Sequence, residues 1–585
     1  MKRLFYLTVF LLMACVMPYK LYAQSGTLVI HATPQTEENS LDAVITADQA
    51  SANPHLVYEL ASTDTPYVFY ATITIDNDVV IRGIPAEEDG RIPTIMPVVL
   101  TESIPSQPFA FTKDGANITL ENLYLLGISI DNTIDQGNGM ALQVIGDNTK
   151  TLINNVVFEA WSQFAISASG QNQTYKVINS TFRNMVNTGS VYTGEAFRMR
   201  NDLGVTQVDT VIMRNNTFLA VNAYALCAPI AGYLEYGEFS HNTVISMLKN
   251  VIRGEAMTNF KISNNIFYAA YSGGQANGEF PAWDNASAIL SSVVDAAFPL
   301  SKVNASLLGI DTSAANWSDL AEAARTVDVS DNIYFNPTVL ENFYTTWNAS
   351  LQDTAFNYIH INPWMNPETA AMFADDTKYP GLSETGTVLD TDPVFGQGIA
   401  DMFNGGEGYG LGVIGYLQSA RGNGGSAGDS YGYMTSAPDF TSGNWVPAWP
   451  LPEMNDLKYT ASLTGSDGEP YGNLAPYGTF VDAGTGEYVG VEQTETVADN
   501  YSLSQNYPNP FNPTTKINFS LATEGMVKLK VYNIVGQEVA TLVNQSMPTG
   551  KYSVNFDASG LSTGIYIYRL ETNKISLAKK MILIK

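Results

Sequence analysis

Cysteine is almost missing from this chain: 585 residues contain two, Cys15 and Cys227. Cys15 falls in a leader segment, so Cys227 has no partner for an intramolecular disulfide and the fold must hold by packing alone. No histidine lies near Cys227 in sequence, and it reads as a small core residue rather than a nucleophile. Histidine is itself scarce, with four in the chain. So is positive charge: 29 Lys and Arg face 57 Asp and Glu, a net charge of −28. Nucleic acid and anionic membrane surfaces need basic patches, which makes them poor partners for this chain. The acidic excess suits an exposed, saline setting. Calcium is compatible with it, but no Asp-rich loop has calcium-ligand spacing, and no metal or other cofactor site is indicated.

Long apolar runs are missing beyond the first 17 residues. Lys2 and Arg3 precede an apolar run from Leu4 to Met17, and Leu21-Tyr-Ala23 places a small residue before Gln24. This is the pattern of a secretory signal peptide over residues 1–23, cleaved between Ala23 and Gln24. The run is too short for a stable membrane anchor. Leu12-Met-Ala-Cys15 resembles a lipoprotein cleavage box, the competing reading of the same segment.

What the middle of the chain has instead is a recurring phrase: an apolar residue, two variable residues, Asn, one variable residue, then an aromatic or aliphatic one. It occurs at Thr119–Tyr124, Leu152–Val157, Val177–Phe182, Met213–Phe218, Phe239–Val244, Ile262–Phe267 and Val329–Tyr334. The fourth position forms a column: Asn122, Asn155, Ser180, Asn216, Asn242, Asn265 and Asn332. The smallest spacing in that column is 23 residues, with longer excursions, as expected for one rung of a solenoid carrying variable loops. Period-two alternation of β-branched and aromatic residues excludes helical repeats. An inward Asn at a bend can bond backbone groups that lack a strand partner, each of which would otherwise cost about 1–3 kcal/mol. It also tolerates the left-handed backbone of a tight turn.

The phrase resembles the right-handed parallel β-helix of the pectate-lyase-like superfamily, over residues 25–480. Ser40–Asp48 reads as a short amphipathic helix capping the open end, where a bare strand edge would invite aggregation. Leu56–Leu60, Thr72–Ile75 and Val79–Gly83 read as first-rung strands. The gap before Asn332 implies an excursion over residues 273–326, with a helix at Ser318–Ala324. Beyond Phe335 the phrase fades, and Trp347, Trp364, Trp445 and Trp449 among Gly and Pro suggest long loops over the later rungs.

Proteins of this fold commonly hold polysaccharide along one sheet. The polygalacturonase-like family carries Asn-Thr-Asp, Asp-Asp and Gly-His-Gly motifs; only the pair Asp375-Asp376 is present, beyond the readable rungs. His241 lies in the Asn phrase and reads as structural. Gly194-Glu-Ala-Phe-Arg198 and Arg253-Gly254 resemble segments of the alginate and chondroitin lyase family. With Phe197, Met199 and Ile252 inward, Arg198, Arg200 and Arg253 face outward. Arg198 and Arg253 then stand about two rungs apart, roughly 10 Å, a spacing that suits successive carboxylates of a polyuronide. The lysine base of that family is missing, since Tyr224–Pro229 offers none, so whether the chain is an enzyme stays open. The competing reading pairs these arginines with Glu195 and Glu255 on an exposed sheet.

The last 85 residues change character. Nine basic residues face four acidic ones over 501–585, leaving residues 1–500 at −33. Short alternating strands, such as Val527, Leu529 and Val531 against Lys528, Lys530 and Tyr532, are separated by Gly536, Gly550, Gly560 and Gly564, as in a small antiparallel sandwich. Asn506–Thr515, Val531–Val539, Gly564–Leu570 and Lys579-Lys-Met581 resemble the type A C-terminal sorting domain of the type IX secretion system. The resemblance implies contact with that machinery, passage through the periplasm, and release or attachment at the outer cell surface. A linker is expected over residues 481–500. The fold expected is all-β, a parallel β-helix followed by a small sandwich. The functions that fit are recognition of extracellular polysaccharide, lyase or hydrolase action with a non-standard site, and structural adhesion.

Overall fold

The computed structural model describes most of residues 23–584. The stretches of six or more residues outside the description are 1–22, 99–106, 130–138, 186–192, 200–205, 277–309, 351–358, 406–411, 423–455 and 482–487, with shorter gaps between. The body is a coil of parallel strands on three faces. The first sheet runs from Thr27–Ile30 through Val57–Ala61, Val79–Ile84, Gln173–Ile178, Thr206–Arg214, Gly232–Ser240 and Asn259–Ser263 to Leu382–Thr385. The second runs from Tyr67–Phe69 and Thr94–Pro97 through Thr181–Met185, Thr217–Val221, Thr243–Met247 and Ile266–Tyr268 to Val388–Leu389. Two long strands, Asn117–Leu126 and Lys150–Glu159, cross the bend and belong to both. The third sheet stacks seven strands: Ile73–Ile75, Phe109–Phe111, Met140–Val144, Phe164–Ala168, Glu195–Met199, Leu226–Ala228 and Ile252–Gly254.

Each rung buries alternate residues against the next, and the core runs the length of the coil. Phe158, Phe182 and Phe218 stack with centroids 4.8 and 5.0 Å apart and planes within 6°, and Phe239 and Phe267 continue the column. Offset stacking of this kind adds about 0.5–1.5 kcal/mol per pair to the area buried. The capping helix is Leu41–Gln49, with Ser40 as its N-cap, Oγ accepting from the Ala43 amide. The three expected first-rung strands are not one rung: Val57–Ala61 and Val79–Ile84 stack on each other in the first sheet, while Ile73–Ile75 begins the third. Thr27–Ile30 precedes them all.

The later chain is more helical than its Gly and Pro content suggested. Thr338–Ser350, Gln397–Asn404 and Gly412–Gly422 are helices whose Leu340, Tyr344, Met402, Phe403, Val413 and Leu417 pack with Leu219, Ile245 and Leu248. They close the outer side of the second sheet. The helix Trp317–Ala324 lies within the expected excursion. The C-terminal sandwich joins two antiparallel four-stranded sheets over one core. One sheet includes Val491–Glu495, paired with Gly550–Asp557, so part of the stretch read as linker is strand.

Candidate functional site

Strict alternation fails on the third sheet, and that failure builds its outer face. In each of four rungs two consecutive residues enter the core: Ala165 with Ile166, Ala196 with Phe197, Ala225 with Leu226, Val251 with Ile252. The residues that flank each buried pair share the other side. Register then stacks Ser167, Arg198, Cys227 and Arg253 in one column. Counting back three places along each strand puts Phe164, Glu195, Tyr224 and Asn250 in a second column beside it.

Arg198 and Arg253 are thus on neighbouring outward positions separated by the Cys227 rung. Arg198 Nη1 donates to Glu195 Oε1 at 2.8 Å and lies 3.3 Å from Cys227 Sγ. Its guanidinium stacks over Phe164 at 5.5 Å, one rung down, and Arg253 stacks over Tyr224 at 5.8 Å in the same manner. Such cation–π contacts orient a guanidinium without neutralising it. Glu195 has no exposure, while the Arg198 side chain keeps 20%. Burial pushes the Glu195 carboxyl up to about 7, against the pull of Arg198 and Arg253. Glu195 in turn holds the Arg198 guanidinium firmly charged. Burial also raises the Tyr224 phenol. Cys227, read from sequence as a core residue, is buried, but it packs with Ala223 and Tyr224 on this outer side, apart from the main core. No signal in the sequence marked that; it follows from the two-residue buried step. Arg200 and Glu255 lie outside the described residues.

The bend between first and second sheets holds two columns where sequence suggested one. Asn154 pairs with Ile178 and Val157 with Thr181, which sets Asn155 beside Asn179 and Val156 beside Ser180. Asn122, Asn155, Asn179, Asn215, His241, Asn264 and Asp331 therefore form the left-handed column, every φ lying between 50° and 61°. Ser180, Asn216, Asn242, Asn265 and Asn332 form the second, each buried. Along it Ser180 N donates to Asn216 Oδ1, Asn216 N to Asn242 Oδ1, Asn242 N to Asn265 Oδ1 and Asn265 N to Asn332 Oδ1, at 2.8–3.1 Å. Their amides also donate to backbone carbonyls such as Val177 O, Met213 O and Phe239 O. Asn155 Nδ2 donates to Asn122 Oδ1 within the first column. Two jobs are divided between adjacent residues: one tolerates the turn, the next satisfies it.

A later segment is strapped over this bend. Asn473 N donates to Thr243 Oγ1 and its Nδ2 to Thr217 Oγ1, while Leu474 N donates to Asn215 Oδ1. His241 meets Asp467 at 2.7 Å and the Gly472 carbonyl at 3.3 Å. Burial works to raise Asp467, yet the His241 contact keeps it below the usual carboxylate range.

In the C-terminal sandwich the motif Asn506–Thr515 is a clip. The Asn506 backbone N–H donates to Tyr568 Oη, and its side-chain Nδ2 donates to Pro508 O and Thr515 Oγ1. Tyr568 Oη donates to Ser504 O, and Asn509 Oδ1 accepts from Ile582 N. Asn506 and Asn509 thus pin the proline segment to the last two strands. Residues 505–585 match the family model of the secretion system C-terminal sorting domain. This segment is a type IX sorting domain. The sorting domain indicates export by the type IX system, through the periplasm, to the cell surface or the medium. It implies contact with that machinery.

No curated protein matched the chain. A solved structure described as "Structural and functional probing of PorZ, an essential bacterial surface component of the type-IX secretion system of human oral-microbiomic Porphyromonas gingivalis" is 16% identical, covering 19% of this chain and 15% of that one, with a TM-score of 0.12. At that score the likeness carries no argument. The segment 1–22 lies outside the described residues; Ala23 and Gln24 pair with Leu28 and Thr27 as a short antiparallel strand.

Proposed function

We propose that this type IX cargo recognises an acidic extracellular polysaccharide on the outer face of its third sheet. One observation carries the reading: Arg198 and Arg253 occupy the same outward column two rungs apart, each laid on an aromatic ring. At ~4.8 Å per rung the guanidiniums span roughly 10 Å. Arg binds carboxylates in a planar, two-pronged fashion that Lys cannot match. The second sheet is closed by helices, whereas the outer columns of the third carry Arg198 beside Phe164 and Arg253 beside Tyr224. The parallel coil and its exported tail fit a secreted reader of carbohydrate. A second reading, cleavage of the same polymer, is favoured by Glu195: a carboxyl held near 7 can take or give a proton at neutral pH.

The test is a polyuronide array probed with purified wild-type protein and with Arg198→Glu/Arg253→Glu. Binding is expected to fall at least tenfold in the double variant. Equal binding by the two proteins removes the proposal. New unsaturated or reducing ends in the same incubations decide for cleavage, and their absence for recognition alone.

A further inference from the structure

The left-handed column at the first bend has one member of a different kind. Asn122, Asn155, Asn179, Asn215 and Asn264 turn the chain there, and His241 stands among them with φ +50. Asn serves that backbone on the neighbouring rungs, so the bend itself does not ask for an imidazole. The His241 ring is buried beneath the strap and meets two acceptors. Nε2 lies 2.7 Å from Asp467 Oδ2, and Nδ1 lies 3.3 Å from the Gly472 carbonyl oxygen. Neither partner has a hydrogen to give, so each ring nitrogen must donate. A neutral imidazole carries one N–H and satisfies one of them; the imidazolium satisfies both.

Asp467 is shaped to receive that charge. Its Oδ1 accepts from the Glu469 amide at 3.0 Å, in a turn whose base is the bridge between Thr464 and Pro470. Its Oδ2 also accepts from Asn264 Nδ2 at 3.1 Å. The other titratable groups around the ring do not supply a cation. Tyr471 and Glu469 lie on the strap, and burial raises the Tyr471 phenol, with Asp331 and Asp467 adding to the rise. Asp331 is the rung neighbour of Asn264 and a second acid on this side. On the first sheet Arg214 is bound to Glu238, and Lys261 is the register partner of Glu238 one rung on. The remaining described strap contacts are amide and hydroxyl bonds: Asn473 to Thr217 and Thr243, Leu474 to Asn215, and Gly472 N to Asn264 O at 2.6 Å. None of these changes with pH near neutrality.

We propose that His241 and Asp467 form a pH-gated latch, closed by the imidazolium and loosened once the ring gives up its second proton. The gate acts on Asp467 and residues 469–477, in the chain that runs from the coil to the sorting domain. The His241 share of the closed state is present in mild acid and is lost as pH rises through the imidazole range. Asp467 sets the lower limit, because burial opposes its charge while the His241 contact holds its carboxyl below the usual range. Its share is present above about pH 4 and is lost as pH falls through that lowered value. Mild acid therefore shuts the strap, and mild base leaves it on neutral bonds alone. The rung beneath stays wound in both states, since His241 pairs with Ser263 O through its backbone N–H.

The experiment is hydrogen exchange of the full chain, read by mass spectrometry at pH 5 and pH 8 and corrected for the intrinsic rate at each. The reporters are the amides of Gly472, Asn473 and Leu474, which donate into the bend. In the wild type their protection should fall about fivefold at pH 8, the worth of one modest hydrogen bond. The strands Gly232–Ser240 and Thr243–Met247 should keep theirs. His241→Asn, which suits the turn as on the neighbouring rungs, should hold the lower protection at both pH values. Asp467→Asn should likewise remove the response, and its side chain is 36% exposed, so it repeats the test should His241→Asn fail to fold. Equal wild-type protection at the two pH values overturns the latch, as does a His241→Asn protein that keeps the wild-type response. A parallel loss across the strands means that the whole coil loosens, and it overturns the latch as well.

Discussion

Glu195 sits where burial and charge pull in opposite directions. Two guanidiniums favour its anion, yet desolvation prevails and the carboxyl titrates near 7. Its folded value lies above the unfolded one, so the folded state binds the proton more tightly. Stability from this group is full below about pH 4.3 and is lost as pH rises toward 7. Glu195→Gln removes that dependence. Urea unfolding at pH 5 and pH 8 should show the Gln variant gaining on the wild type at the higher pH, by up to about 3 kcal/mol for a shift of this size. A difference that does not change with pH rules out a proton-loaded Glu195. The pairing of Arg198 with Glu195 was one of the readings open from sequence. Its burial was not, because alternation alone gives no sign that Ala196 and Phe197 both turn inward.

At the level of elements the coil was legible because it repeats. Each phrase supplies an apolar face, an Asn bend and an aromatic end, and seven copies show what one would not. The same repetition misled the register. Asn154 and Asn155 are adjacent, as are Asn179 with Ser180 and Asn215 with Asn216, so a column can be drawn through either member of each pair. Only backbone pairing separates the turn-forming column from the buried one. The helices on the second sheet and the strap over residues 464–477 do not repeat, and their sequences carry no periodic mark. The strap depends on Gly472, which has φ +74 and where an added Cβ would lie 2.5 Å from Thr243 Oγ1 and 2.9 Å from Ile266 Cδ1. Gly472→Ala should release the strap while the rungs stay wound. Limited proteolysis is expected to cut within 464–477 in the variant and spare it in the wild type. Equal resistance means that the contact adapts and the glycine is not required.

For the molecule as a whole, sequence gave away the destination more readily than the ligand. The sorting domain was legible because its motif residues serve a fixed clip: Asn506, Asn509 and Tyr568 have hydrogen bonds that few substitutes can make. Glycan contacts depend on which outward positions of three sheets share a face, and that is settled by folding, not by a motif. Removal of residues 501–585 should leave the body folded in the periplasm. Fractionation of cells that make the truncated chain measures this, and normal appearance of the body in the medium refutes the role of the domain.

The strap also orders events in time. Thr243 and Asn473 are 230 residues apart in the chain. Most successive rungs need contacts between residues only some 23–36 positions apart, and the widest step, Asn265 to Asn332, spans 67; such closures form sooner than one of 230. The entropy of closing the longer loop grows only slowly with its length, so the seal is affordable once its dock exists. That dock is Asn215, Thr217, His241, Thr243 and Asn264, drawn from three consecutive rungs. The strap is expected to latch only after those three rungs are wound, and the segment leading to the export signal is then anchored on them.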